Sequence, residues 1–305
     1  MPPTDAPPPT WQVVRARQTA LVPRGLTVSR TLPHRDRRMV GPWCFLDRFG
    51  PLPMTDGAAM AVAPHPHTGL QTVTWLLGGE VTHRDSLGSQ QTIRPGQLNL
   101  MTAGAGIAHA EHSAPTGVLD GVQLWVALPE DSRAVAPAFA HHADLPVGED
   151  RAARITVLAG ALAGLVSPAR VYSPLLAAQV ELSADGRALL PLDPDFEHAV
   201  LALAGQASTD GRELPDGDLV YLGSGRRALS LRAEASATLL VLGGEPSTSE
   251  FVLWWNFLGR DHDEVAAARE RWESGGFAPV ADVGQPPLPA PPMPTTRLRP
   301  RGRVR

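Results

Sequence analysis

The sequence predicts an all-β protein: two double-stranded β-helix barrels packed together, followed by one C-terminal helix and an extended tail. Three observations carry this reading. The chain holds 31 prolines and 29 glycines among 305 residues, about a fifth of its length against a usual share of roughly 12%. Many short strands need many such turn residues. Apolar and alternating runs are short and return about every 8–12 residues, the rhythm of a sandwich or barrel. That rhythm also occurs twice, as an internal repeat.

The elements follow in order. Strands are expected at Trp11 to Val14, Gln71 to Leu77, Gln97 to Met101 and Gly121 to Leu128, which places a first barrel over residues 11–145. A linker is expected near Pro146 to Arg154. Strands at Ala199 to Leu203 and Thr238 to Leu242 place a second barrel over residues 155–283. In the first unit Leu76-Leu77-Gly78-Gly79-Glu80 precedes Arg94-Pro95-Gly96-Gln97-Leu98. In the second, Leu203-Ala204-Gly205-Gln206 precedes Pro215-Asp216-Gly217-Asp218-Leu219. Both read strand, glycine turn, strand, proline-glycine turn, strand. One helix follows: Asp261 caps it, Asp263 and Glu264 occupy its first turn, and Gly275-Gly276 ends it. Trp254-Trp255 is expected to anchor that helix to the second barrel. Residues 1–10 and 285–305, proline-rich or basic, read as extended ends.

Composition excludes several classes. The single cysteine, Cys44, rules out a disulfide framework and any cysteine-rich metal module. A net charge of −4 argues against direct nucleic-acid binding, which needs a basic surface. All 27 basic residues are arginine, which we ascribe to genome composition. The N-terminus lacks the basic and apolar regions of a secretory signal, and no apolar run approaches a membrane span. A soluble, cytoplasmic monomer with no membrane partner is therefore expected.

The ten histidines are unevenly placed. His65-Pro66-His67 precedes a strand signal, and in extended chain a His-x-His puts both rings on one face. Further on, His109-Ala110-Glu111 repeats the spacing after the glycine-rich Ala103-Gly104-Ala105-Gly106. On facing strands of a small barrel the two pairs converge on one point. Three imidazoles and one carboxylate make an N₃O site for a divalent transition metal, with positions open for exchangeable ligands. The repeat supplies a control. Aligned on Gly79 and Gly205, and on Gly96 and Gly217, the second unit has Pro191, Asp193, Ser230 and Arg232 at these four positions. One metal site per chain is expected, in the first barrel. His83 is read as an exposed hairpin tip, His112 as facing away from the site, His141-His142 as surface residues, and Arg35, Arg37 and Arg38 as solvated rim arginines. Cys44, among Pro42, Trp43, Phe45 and Leu46, reads as a buried inert thiol.

Several stretches together resemble the pirin branch of the cupin superfamily. They are Pro64-His65-Pro66-His67-Thr68-Gly69-Leu70-Gln71, His83-Arg84-Asp85-Ser86-Leu87-Gly88, and Met101-Thr102-Ala103-Gly104-Ala105-Gly106-Ile107-Ala108-His109-Ala110-Glu111. Arg37-Arg38-Met39-Val40-Gly41-Pro42, Asp47-Arg48-Phe49-Gly50-Pro51 and Gly243-Gly244-Glu245-Pro246 fit the same pattern. The resemblance implies a bicupin with an iron-type metal, Fe(II), on His65, His67, His109 and Glu111, and a metal-free second barrel. Imidazole and carboxylate also accept Mn, Co, Ni, Cu or Zn. Pirin-like chains usually carry Arg, then Phe-Glu, where this one has Thr68, then Leu70-Gln71. Gln71 is read as a residue that supports the ligands from behind or as simply structural, not as a fifth ligand.

Two functions follow. The first, implied by the resemblance, is a metal-dependent dioxygenase opening a flavonol-like substrate such as quercetin with dioxygen, with Glu111 as catalytic base. The second is a metal- and redox-sensing regulatory protein that binds a protein partner without turnover. A metal-stabilised scaffold is a third. A deep apolar cavity over the metal marks the enzyme; a shallow or plugged site marks the regulator.

Overall fold

The computed structural model describes residues 10–21, 26–55, 59–149 and 151–304. Residues 1–9 of the expected N-terminal extension lie outside the described residues.

Twelve strands fill the N-terminal half: β1 (Gln12–Val14), β2 (Arg17–Leu21), β3 (Leu26–Leu32), β4 (Trp43–Met54), β5 (Ala61–His67), β6 (Leu70–Gly78), β7 (Val81–Asp85), β8 (Gln90–Ile93), β9 (Leu98–Thr102), β10 (Ile107–Ser113), β11 (Gly117–Ala127) and β12 (Ala138–His142). A seven-stranded sheet in the order β12-β9-β6-β11-β4-β3-β2 and a four-stranded sheet in the order β5-β10-β7-β8 form the first barrel. The second repeats the plan. Its large sheet runs Gln12–Val14, Leu219–Gly223, Glu197–Ala204, Ala237–Gly244, Leu175–Leu182, Ala153–Ala159, Val147–Glu149, and its small sheet Arg187–Pro191, Ala228–Ala233, Ala207–Thr209, Arg212–Glu213. The expected helix, α1, is His262–Glu273, with the Asp261 side chain accepting from the Glu264 N–H.

The two large sheets pack face to face. Leu46, Val73, Leu100 and Leu124 of the first meet Leu158, Ala177, Leu201 and Leu240 of the second in one apolar layer. β6 is buried on both faces along most of its length. Thr72 and Thr74 turn into the barrel, while Val73 and Trp75 enter the layer. Polar anchors cross it: Trp75 Nε1 donates to Gln179 Oε1 at 2.7 Å, and Trp43 Nε1 to the carbonyls of Leu176 and Gly243. Gln71 points into this layer too, donating to Thr102 Oγ1 and the Arg170 carbonyl, and so plays the structural part expected of it. Gly41 shows why a glycine stands in its motif. It has φ +52°, and a Cβ there would lie 2.6 Å from Gly244 Cα.

Four departures from expectation share one cause: long-range pairing that local pattern does not encode. β1 does not complete the first barrel but pairs with Leu219–Gly223. Val147–Glu149 is no linker but an edge strand on Ala153–Ala159. The Arg37 side chain is buried, stacked over the Tyr221 ring and directed at Glu197, not solvated. Glu197 also accepts from Tyr221 Oη, the Gly41 N–H and Arg303 Nη1. The extended tail is thereby fastened between the barrels. Finally, the Trp254-Trp255 segment leaves the second barrel and packs with α1 on the first. Thr68 bridges Phe257, and Arg271 Nη1 donates to the Ala105 carbonyl.

Replacing Gln179 with alanine removes the acceptor of a buried indole N–H and opens a gap between the sheets. We expect a loss of about 2–3 kcal/mol in stability, measured by chemical denaturation, with metal content unchanged.

Candidate metal centre

Each histidine reaches the centre through strand alternation. β5 and β10 pair antiparallel, with His109 opposite His65 and Ile107 opposite His67. The imidazoles of His65, His67 and His109 come together, all buried, with their ligand nitrogens within 4.8 Å of one another. Glu111 lies two residues along β10. Its carboxylate groups with His109 and His83 instead, again within 4.8 Å, and accepts from Thr74 Oγ1 at 3.3 Å. No other such groups occur among the described residues.

His83 departs from its expected place at an exposed hairpin tip. It is 3% exposed, stacked on Phe139 at 4.3 Å and in contact with His109. β7 is sandwiched between β10 and β8, so Val81, His83 and Asp85 all turn inward, and the hairpin tip falls three residues later. The alternation Val81-x-His83-x-Asp85 was the available signal. His112 contacts Gln285 of the tail. His141 and His142 are half-buried, His141 against Asn99 Oδ1 at 2.7 Å. Cys44 is buried, its thiol pushed up to about 12 by burial.

The residues fit a metal on two counts. His67 Nδ1 and His109 Nε2 are buried without a hydrogen-bond partner, a costly state that a coordinated cation resolves. Burial holds the rings neutral, taking His65 down to about 4 and lowering His67 and His109; the neutral ring is the ligand. Burial raises the Glu111 carboxyl in the same environment.

Hydrogen bonds fix which nitrogen faces the centre. His65 Nδ1 donates to the Ala63 carbonyl at 2.9 Å, leaving Nε2 as the ligand atom. For His109 the order is set at a distance. Asp85 Oδ1 accepts the Leu87 and Ser89 N–H groups, and Oδ2 faces His83 Nε2 at 3.0 Å. A carboxylate only accepts, so His83 carries its proton on Nε2 and offers the Nδ1 lone pair. His109 Nδ1–H then donates to that lone pair across 3.3 Å, and His109 Nε2 is left bare.

A cavity of about 440 Å³ opens on the imidazoles. Phe45, Trp125, Leu253, Trp255 and Leu288 form much of its apolar wall. Leu253 and Trp255 come from the hairpin Val252–Trp254/Phe257–Gly259. Trp255 has φ +52°, unfavourable for a side chain of its bulk, and the backbone of Asn256 partners His67. Leu288 belongs to the tail, whose N–H bonds the Pro64 carbonyl. The expectation that Trp254-Trp255 serves the second barrel is thus corrected: the segment walls the metal cavity.

The second barrel offers no such centre. Its strand pairing sets Leu229 opposite Leu190, as His109 stands opposite His65. Following the register, Leu190, Leu192, Leu229 and Leu231 hold the places of His65, His67, His109 and Glu111, and all four are buried in its core. The expected counterparts Pro191, Asp193, Ser230 and Arg232 are all exposed, because the second unit is one residue longer between Leu190 and Gly205 than between His65 and Gly79, and one residue shorter between Gly217 and Leu229 than between Gly96 and His109.

Two barrels of one topology, histidines lining one and leucines the other, define a bicupin with a single candidate metal centre. The Pirin family model matches residues 25–126, and that of the Pirin C-terminal cupin domain matches residues 177–278. The chain belongs to the pirin family. It is 48% identical over 286 residues to a Pseudomonas aeruginosa protein named "Putative quercetin 2,3-dioxygenase", covering 93% of this chain and 90% of that one. A pirin-like protein of Caulobacter vibrioides is 40% identical, covering 86% and 94%. The crystal structure of a quercetin 2,3-dioxygenase from Acinetobacter baumannii superposes with a TM-score of 0.91 at 39% identity, covering 95% of this chain and 97% of that one.

Asp85→Asn presents an N–H to His83 Nε2, reverses both tautomers and places a proton on His109 Nε2. Metal affinity, read by competition with a chelator, should fall about 10–100-fold while the fold persists.

Proposed function

We propose that this protein is a metal-dependent dioxygenase of the quercetin 2,3-dioxygenase type, acting on a flavonol-like substrate in the first barrel. The observation that carries the reading is the aromatic-walled cavity opening on the imidazole cluster, which has the size expected for a drug-sized ligand. The names of the Pseudomonas and Acinetobacter relatives support it. A cavity of this kind favours turnover over the regulatory reading, which wants a shallow site.

His65, His67 and His109, with Glu111 beside them, would hold one divalent transition metal; Fe(II) is our assignment. When bound, the metal supplies Lewis acidity, which acidifies an enolic hydroxyl of the substrate. The protein does the rest. Phe45 and Trp125, stacked with centroids 3.9 Å apart, form an aromatic wall along which a planar ring system can lie. Trp255 and Leu288 shield the site from water. Glu111, its carboxyl raised by burial, takes the substrate hydroxyl proton on a carboxylate oxygen. Thr74 Oγ1, within reach of both Glu111 Oε1 and Gln123 Oε1, steadies that carboxylate.

Metal-loaded protein given quercetin under air should consume oxygen and release an equal amount of carbon monoxide. Glu111→Gln should cut the rate at least about 100-fold. Oxygen consumption without carbon monoxide, or a fully active Glu111→Gln, would contradict the reading.

A further inference from the structure

An ion pair between a buried Asp47 and a half-buried Arg30 stands in the wall of the cavity, and the proposed chemistry does not use it. Arg30 of β3 and Asp47 of β4 both line the cavity and face each other in register. Nε donates to Oδ1 at 2.7 Å and Nη2 to Oδ2 at 2.6 Å. The guanidinium lies over the Phe45 ring at 4.4 Å, Phe45 stacks on Trp125, and Trp125 meets His67 edge-on at 5.0 Å. Two aromatic rings thus stand between the ion pair and the metal centre. Asp47 is opposite Gln123, which is opposite Thr74. One polar row therefore crosses the inner face of the sheet, from the ion pair to the residue that bonds Glu111.

Such a pair seldom adds stability over apolar residues of similar volume. Here each carboxylate oxygen keeps a lone pair beyond the one Arg30 occupies, and Arg30 Nη1 has no hydrogen-bond partner among the described residues. The two charges cancel, so the pair selects neither an anion nor a cation. It presents an acceptor beside a donor in one plane, which matches a hydroxyl group on an aryl ring. Resting on the dioxygenase reading for the orientation of the ligand, we propose that Arg30 and Asp47 form a specificity subsite. It reads hydroxyl groups on the substrate ring at the opposite end of the Phe45–Trp125 stack from His67.

Three flavonols test it: galangin, kaempferol and quercetin carry none, one and two hydroxyls on the 2-phenyl ring and are otherwise alike. Their dissociation constants are read anaerobically from quenching of tryptophan fluorescence in metal-loaded protein, so turnover is not needed. The wild type should bind quercetin at least about tenfold more tightly than galangin. The double variant Arg30→Leu with Asp47→Leu should bring the ratio below about twofold, with galangin binding unchanged. Arg30→Lys keeps the charge but loses the fork and should give an intermediate ratio; it stands in if the double variant does not fold. A flat wild-type series, or a ratio that survives these substitutions, overturns the inference even if quercetin is turned over. A ratio that collapses as expected in a protein that consumes no oxygen upholds the subsite and overturns the dioxygenase reading.

Discussion

Three neutral imidazoles gathered at one buried point, two with a nitrogen that nothing satisfies, form the constraint around which this protein is arranged. An apolar barrel has no use for such a cluster, and burial without a partner is costly. The surrounding shell keeps the ligand nitrogens bare. The Ala63 carbonyl orients His65, and the Asp85–His83 pair orients His109. Two backbone N–H groups hold the Asp85 carboxylate; burial raises its pKa, but the hydrogen bond with His83 and then the Ser89 N–H outweigh it and lower the pKa overall.

The second barrel shows the same backbone without that constraint. Leucines at the positions corresponding to His65, His67, His109 and Glu111 turn the cavity into packed core, and the freed barrel becomes a support. Its large sheet covers the back of the first barrel's sheet. The chain then returns from it, so that the hairpin bearing Trp255, helix α1 and the tail close on the metal side. The Glu197 cluster fastens the end of that return, holding Arg303 beside Arg37 and Tyr221.

Much of this was legible in the sequence. Period-two spacing paired His65 with His67 and His109 with Glu111, and the repeated glycine turns revealed two barrels. The helix and its Asp261 cap followed from local chemistry. What escaped was set by distance or by a single residue of loop length. His83 looked like a tip because its strand is short and polar, and only the flanking β10 and β8 bury it. Arg37 looked solvated because Glu197 and Tyr221 lie some 160 and 184 positions away in the sequence. The ligand-for-leucine correspondence was displaced by one at each end, because the second unit is one residue longer before Gly205 and one residue shorter after Gly217.

One metal per chain, held by the first barrel alone, is what this arrangement of side chains requires. Elemental analysis of purified protein tests it most directly, on the wild type and on the variant His65→Ala with His109→Ala. The wild type should hold one equivalent of transition metal and the variant nearly none, with both folded. Two equivalents in the wild type, or undiminished metal in the variant, would contradict it.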